Sequence, residues 1–152
     1  MDELQDYMRR IMIAFYRLDS LYDESAKDKS VKPNTLYLLY ALEDGKPHSQ
    51  KSLCEEWKFS RTTLNTITKE CERDGYITLK HVAGTKRELT LCLTDAGKAF
   101  TARILGDVYR AKNEGLQEAF QTLSPDFVSE VEFFVSCFEK SFANLKRKDE
   151  KT

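Results

Sequence analysis

Residues 60–93 read SRTTLNTITKECERDG and then YITLKHVAGTKRELTLCL, and the change of rhythm inside this stretch decides the fold. In the first half Leu64, Ile67 and Cys71 recur at i, i+3 and i+7, one face of an α-helix. Ser60 can accept from the first free amides of that helix, and Gly75 can take the left-handed conformation that ends one. The spacing therefore predicts a helix from Ser60 to near Asp74. After Gly75 the period drops to two. Ile77 and Leu79 alternate with Tyr76, Thr78 and Lys80, and Leu89, Leu91 and Leu93 alternate with Glu88, Thr90 and Cys92. Two such runs make a β-hairpin, whose tip over Val82–Lys86 contains a glycine and is basic.

Upstream, Gly45-Lys46-Pro47 breaks the chain and Ser49 caps a short helix over 49–58 that carries Leu53, Cys54 and Trp57. With a turn at Phe59, helices 49–58 and 60–74 form a helix-turn-helix, and the hairpin makes it winged. Pro33 opens an earlier helix that turns Leu36, Leu39, Tyr40 and Leu42 inward. Before it, residues 2–24 form a long amphipathic helix. Leu4, Ile11 and Leu18 recur at seven and Met8, Phe15 and Tyr22 fill the second seam position; the polar stretch Asp23–Lys32 reads as a loop.

Downstream, Thr94 caps a long helix beginning at Asp95, in which Gly106 and Gly115 mark weak points or close packing. Ser124-Pro125-Asp126 opens the last helix, 125–146, with Phe127, Val131, Phe134, Phe138, Phe142 and Leu145 along one side. Its basic end, Lys146-Arg147-Lys148, suits the helix dipole. The fold class is mainly α with a small β-hairpin. Residues 1–152 read as a single domain: a winged helix-turn-helix lobe over 33–93, flanked by helical dimerisation regions at 2–24 and 95–146. The terminal stripes equally fit the core of a monomer, but a chain this small offers two long helices little else to cover them.

The net charge of −1 argues against a nucleic-acid partner until its distribution is considered. Residues 58–90 carry 7 basic and 4 acidic groups, while the segments on either side are net acidic. Local charge sets an electrostatic footprint. On helix 60–74, Arg61, Thr62, Asn65, Thr66 and Lys69 lie largely away from the apolar stripe. Short polar side chains can approach base edges in a major groove about 12 Å wide, and Arg61 and Lys69 can reach phosphates or a guanine edge. Lys86 and Arg87 at the wing tip fit a minor groove or its phosphates. The same Thr and Asn face also fits an ordinary solvated helix surface.

Four stretches together resemble the MarR family of bacterial transcription regulators: Ser49-Gln50-Lys51-Ser52-Leu53, Phe59-Ser60-Arg61-Thr62-Thr63-Leu64-Asn65, Glu72-Arg73-Asp74-Gly75-Tyr76-Ile77 and Leu93-Thr94-Asp95-Ala96-Gly97. The resemblance runs from about Leu36 through Ile104. It implies a homodimer on a pseudo-palindromic double-stranded DNA operator, with Arg61, Thr62, Thr63, Asn65, Thr66 and Lys69 in the major groove and Lys86 and Arg87 near the minor groove. It also implies response to a small aromatic or lipophilic effector, or to thiol oxidation. The chain departs from the family in two places. The wing reads Thr85-Lys86-Arg87 where Asp-x-Arg is frequent, and Thr66 stands where Arg is frequent. Both put the target sequence in doubt.

Other function classes find little support. Phosphate-loop, His-Glu-x-x-His and Gly-x-Ser-x-Gly motifs are lacking, so the reading is non-enzymatic. The two histidines and four cysteines show no metal-ligand spacing, and neither metal nor cofactor is expected. Cys71 and Cys92 lie near the DNA-binding unit; they read as inert thiols, with oxidant sensing as the alternative. The acidic start Met1-Asp2-Glu3 does not resemble a signal peptide and no apolar run reaches about 18 residues, which places the protein in the cytoplasm, away from membranes. A winged helix used for protein–protein contact is the rival reading, and steep weakening by salt would favour DNA over it.

Overall fold

A computed structural model describes residues 2–84 and 88–149. In chain order they form α1 (Glu3–Asp28), α2 (Pro33–Leu42), β1 (His48–Ser49), α3 (Gln50–Glu56), α4 (Arg61–Arg73), β2 (Ile77–His81), β3 (Leu89–Leu93), α5 (Asp95–Ala119) and α6 (Phe127–Asp149). The fold is mostly helical with one small antiparallel sheet. Residues 1–109 make one compact unit and residues 110–152 a second.

The first unit has two apolar cores. One joins α2, α3, α4 and the sheet through Leu38, Leu42, Leu53, Leu64, Ile67, Cys71, Ile77 and Leu91, with Phe59, Tyr76, Leu79 and Leu93 against it. The other joins α1, α2 and α5 through Ala26, Leu36, Ile104 and Leu105, edged by Tyr22, Tyr40, Phe100 and Tyr109. Helix α2 therefore contributes to both, which explains why its sequence, PNTLYLLYAL, is apolar on nearly every side. Each fully buried leucine is worth about 1.5–3 kcal/mol relative to exposure.

The sheet corrects the expected two-stranded hairpin. It has three strands in the order β1-β3-β2. β2 pairs with β3 from Ile77↔Leu93 to His81↔Leu89, and β1 adds His48↔Leu91 and Ser49↔Thr90. A two-residue strand cannot display a period, so nothing in the sequence announces it. The wing is nonetheless built on the predicted alternation, with Ile77 and Leu91 buried.

Helix boundaries shift for identifiable reasons. α1 runs to Asp28 rather than to residue 24, so much of the expected polar loop is helical. Its last turn is held by fully buried Ala26 and closed by two backbone bonds, Ser30 N to Lys27 O (3.0 Å) and Val31 N to Ala26 O (2.9 Å). That is the Schellman pattern, with Ser30 left-handed at φ 55°. α3 ends at Glu56, short of the expected 58, and Lys58 turns left-handed at φ 56°. α6 begins at Phe127, two residues late. Ser124 Oγ accepts from Asp126 N at 3.2 Å, and Phe127 N donates to Ser124 O at 3.0 Å, so Ser124-Pro125-Asp126 forms a turn ahead of the helix. Gly106 and Gly115 have open space where a side chain would stand; close packing instead falls on Gly97.

Candidate nucleic-acid interface

The second helix of the helix-turn-helix, α4, is fixed at both ends. Ser60 Oγ accepts from Thr63 N at 3.0 Å and donates to Thr63 Oγ1 at 2.8 Å, so Ser60 and Thr63 form the cap together. At the other end Gly75 N donates to Glu72 O (3.0 Å) and Tyr76 N to Cys71 O (2.9 Å), with Gly75 at φ 78°. Leu64, Ile67, Thr68 and Cys71 are buried, holding one side of α4 against the first core. Burial of Thr68 breaks the apolar pattern of this face.

That anchoring fixes what faces outward. Thr62, Asn65, Thr66 and Lys69, at i, i+3, i+4 and i+7, are all exposed, and Arg61 is exposed at the helix start. Thr63 is half-buried by its role in the cap. Thr66 Oγ1 donates to Thr62 O at 3.0 Å; with its proton committed to its own helix, Thr66 offers lone pairs and a methyl group. Among the described residues, Arg61 and Lys69 have no ion-pair partner, so their charges are available to an external anion. The nearby acids are differently engaged: Glu70 accepts from Lys32 Nζ at 2.6 Å and Asp74 from Arg73 Nε at 3.0 Å.

The bracing helix α3 is capped by Ser49, whose Oγ accepts from Ser52 N at 2.9 Å. An open groove of about 420 Å³ separates α3, α4 and the start of β3, lined by Gln50, Cys54, Arg61, Asn65 and Glu88 among others. Across it Gln50 Nε2 donates to Asn65 Oδ1 at 3.4 Å, a contact between residues 15 apart that no linear pattern signals. At the wing, Val82 N donates to Glu88 O at 2.9 Å, one step beyond the His81↔Leu89 pair toward the tip. Lys86 and Arg87 lie outside the described residues.

Cys71 lies in the core. Burial pushes its thiol up to about 11, helped by the nearby Asp74 and Glu70 carboxylates. Cys54, Cys92 and Cys137 are half-buried free thiols. Among the described residues no three His, Cys, Asp or Glu side chains could together hold a metal ion. No described helix is long and apolar enough to cross a membrane.

A capped helix-turn-helix followed by a sheet-based wing defines the class: a winged helix-turn-helix protein. Residues 29–88 match the model of the MarR family, to which the chain is thereby similar. The fold agrees along nearly the whole length. AbsC, a MarR family transcriptional regulator from Streptomyces coelicolor, has 16% identity and a TM-score of 0.70, with 95% of this chain and 97% of AbsC covered. NMB1585, a MarR family regulator from Neisseria meningitidis, has 20% identity and a TM-score of 0.70, covering 95% and 99%. A MarR family regulator from Listeria monocytogenes, solved in complex with a 26mer DNA, has 20% identity and a TM-score of 0.63, covering 91% and 87%. No curated protein matches the chain.

Proposed function

We propose that the protein is a cytoplasmic, sequence-specific double-stranded-DNA-binding transcription regulator of the MarR type, without enzymatic activity. The observation that carries this reading is the exposed face of Thr62, Asn65, Thr66 and Lys69 on a helix capped and buried along its other side. Side chains on such a face reach base edges when α4 enters the major groove, while Arg61 and Lys69 neutralise phosphates. The DNA-bound Listeria relative supports this reading by its fold. The wing residues Lys86 and Arg87 take the minor groove in the same arrangement.

The functional species in this reading is a two-fold homodimer joined through α1 and α6, and its operator is a pseudo-palindrome with half-site centres about 34 Å, or 10–10.5 base pairs, apart. A small aromatic or lipophilic effector modulates it.

Selection from a random duplex library, followed by binding measured against salt, tests the proposal. A preferred inverted repeat and affinity falling steeply with salt are expected. Thr62→Ala and Asn65→Ala should cost roughly 1–3 kcal/mol at the selected site and little on scrambled DNA. Binding that is weak, insensitive to salt and without sequence preference would instead favour a protein–protein module.

A further inference from the structure

We propose that Thr66 reads the 5-methyl group of thymine: its hydroxyl is turned in on α4, and its methyl branch is what it presents to DNA. The inference rests on the DNA-reading role of α4 and names the base-edge chemistry that one residue of that face selects. Thr66 is exposed, and its Oγ1 donates to Thr62 O at 3.0 Å, an ordinary hydrogen-bond length. A carbonyl oxygen can only accept, so the proton belongs to Thr66 and the bond has one direction. The bond also fixes the side chain. With Oγ1 laid back against the preceding turn, Cγ2 is the branch of Cβ turned away from that carbonyl. The carboxylate best placed to compete for the proton is engaged elsewhere: Glu70, one turn further along the same side of α4, accepts from Lys32 Nζ at 2.6 Å.

Thr62 supplies the contrast. It is the same residue type one turn earlier on the same exposed face, but α4 begins at Arg61, so no carbonyl of the helix lies four residues behind it. Among the described residues the Thr62 hydroxyl has no hydrogen-bond partner, and it can donate or accept at a base edge. Thr66 must break a bond before it can donate, and exchanging one hydrogen bond for another yields little discrimination between edges. What Thr66 gains only on contact is burial of its methyl group. In the major groove the apolar partner for a threonine methyl is the C5-methyl of thymine, a group that cytosine, adenine and guanine lack in an unmodified duplex.

The test is a double-mutant cycle between protein and DNA. Random-duplex selection with the full chain gives the preferred site. The same selection with Thr66→Ser, which keeps the hydroxyl and removes the methyl, identifies the pair that Thr66 reads, and that pair should be T·A. Replacing its thymine by uracil then removes the 5-methyl group alone. The replacement should weaken wild-type binding about fourfold, the effect of burying one methyl group, and should cost Thr66→Ser nothing. Thr66→Val keeps a methyl and loses the hydroxyl. It should retain both the preference for thymine and the penalty for uracil, and both variants should leave the salt slope unchanged, which loss of a phosphate contact would not. No changed position in the Thr66→Ser selection, a changed pair other than T·A, an equal uracil penalty in wild type and Thr66→Ser, or loss of the thymine preference in Thr66→Val overturns the proposal. Should the wild-type chain enrich no sequence, the DNA-reading role itself fails, a result separable from failure at Thr66 alone.

Discussion

Gly97 and Tyr76 meet backbone to backbone: a Cβ placed on Gly97 would lie 1.9 Å from the carbonyl oxygen of Tyr76. The same oxygen accepts from Thr94 N at 3.0 Å, while Thr94 Oγ1 donates to Gly75 O at 2.6 Å and accepts from Gly97 N at 2.9 Å. The end of α4 and the start of α5 are thus locked together, and Tyr76 and Phe100 stack over the junction with ring centroids 4.1 Å apart. Gly97→Ala must push apart two segments that are each hydrogen-bonded in place. The expected loss is about 2–3 kcal/mol, or roughly 5–10 °C in Tm for a domain of this size. Thermal unfolding checks it, with Gly106→Ala as the control, where the space is open.

The terminal helices expose apolar side chains that a lone chain leaves in water. Leu18 is 56% exposed and Phe142 61%, each on its predicted seam. Light scattering should give twice the chain mass of 17.6 kDa. Leu18→Asp or Phe142→Asp should return the mass to that of one chain and weaken operator binding with it. A monomer that binds an inverted repeat tightly would remove the proposed dimer.

Among the described residues, α1 and α3 end in a left-handed residue that is not glycine, whereas α4 uses Gly75 for it and α2 is closed by left-handed Gly45. Ser30 and Lys58 stand at φ 55° and 56°, where a Cβ costs about 1 kcal/mol. Ser30→Gly and Lys58→Gly should each raise stability by roughly 0.5–1 kcal/mol, and Gly75→Ala should lower it by about 1 kcal/mol. Chemical denaturation of the three variants measures this directly, and stability unchanged in all three would show the terminators to be relaxed.

Cys71 should behave as a core residue. Its thiol is pushed from an ordinary 9.0 up to about 11, so the folded state keeps it neutral. The unfolded chain loses that proton first. The contribution to stability is therefore complete below about pH 9 and is lost as pH rises toward 11. Denaturation from pH 8 to 11 should fall less steeply for Cys71→Ala than for wild type. At pH 8 a thiol reagent should leave Cys71 unmodified in the native protein, and peroxide sensitivity of DNA binding, where present, should survive the substitution. Loss of that sensitivity in Cys71→Ala would make the thiol a sensor.

What the sequence made legible was what repeats or caps. Leu64, Ile67 and Cys71 marked the buried side of α4, Ser49, Ser60 and Thr94 marked three helix starts, and Ile77 and Leu91 marked the sheet. Hidden were features that depend on a partner far along the chain. β1 is only two residues, and its role comes from Leu91 and Thr90 more than 40 positions away. The last turn of α1 is polar in sequence and is held by one small side chain, Ala26. The close-packed glycine proved to be Gly97, because a glycine's neighbours across a junction leave no trace in its own segment. At the interface the exposed face of α4 followed from period alone. Thr63's place in the cap and Gln50's reach to Asn65 needed three dimensions.

Ser49 belongs at once to the sheet that carries the wing and to the helix that braces α4. Through its pairing with Thr90, the hairpin and the helix-turn-helix share a rivet, with no slack segment between them. The two act as jaws of one caliper set to a fixed gauge. A force tilting the wing is felt at the foot of α3, and in the proposed complex a duplex whose grooves do not match the gauge has itself to bend.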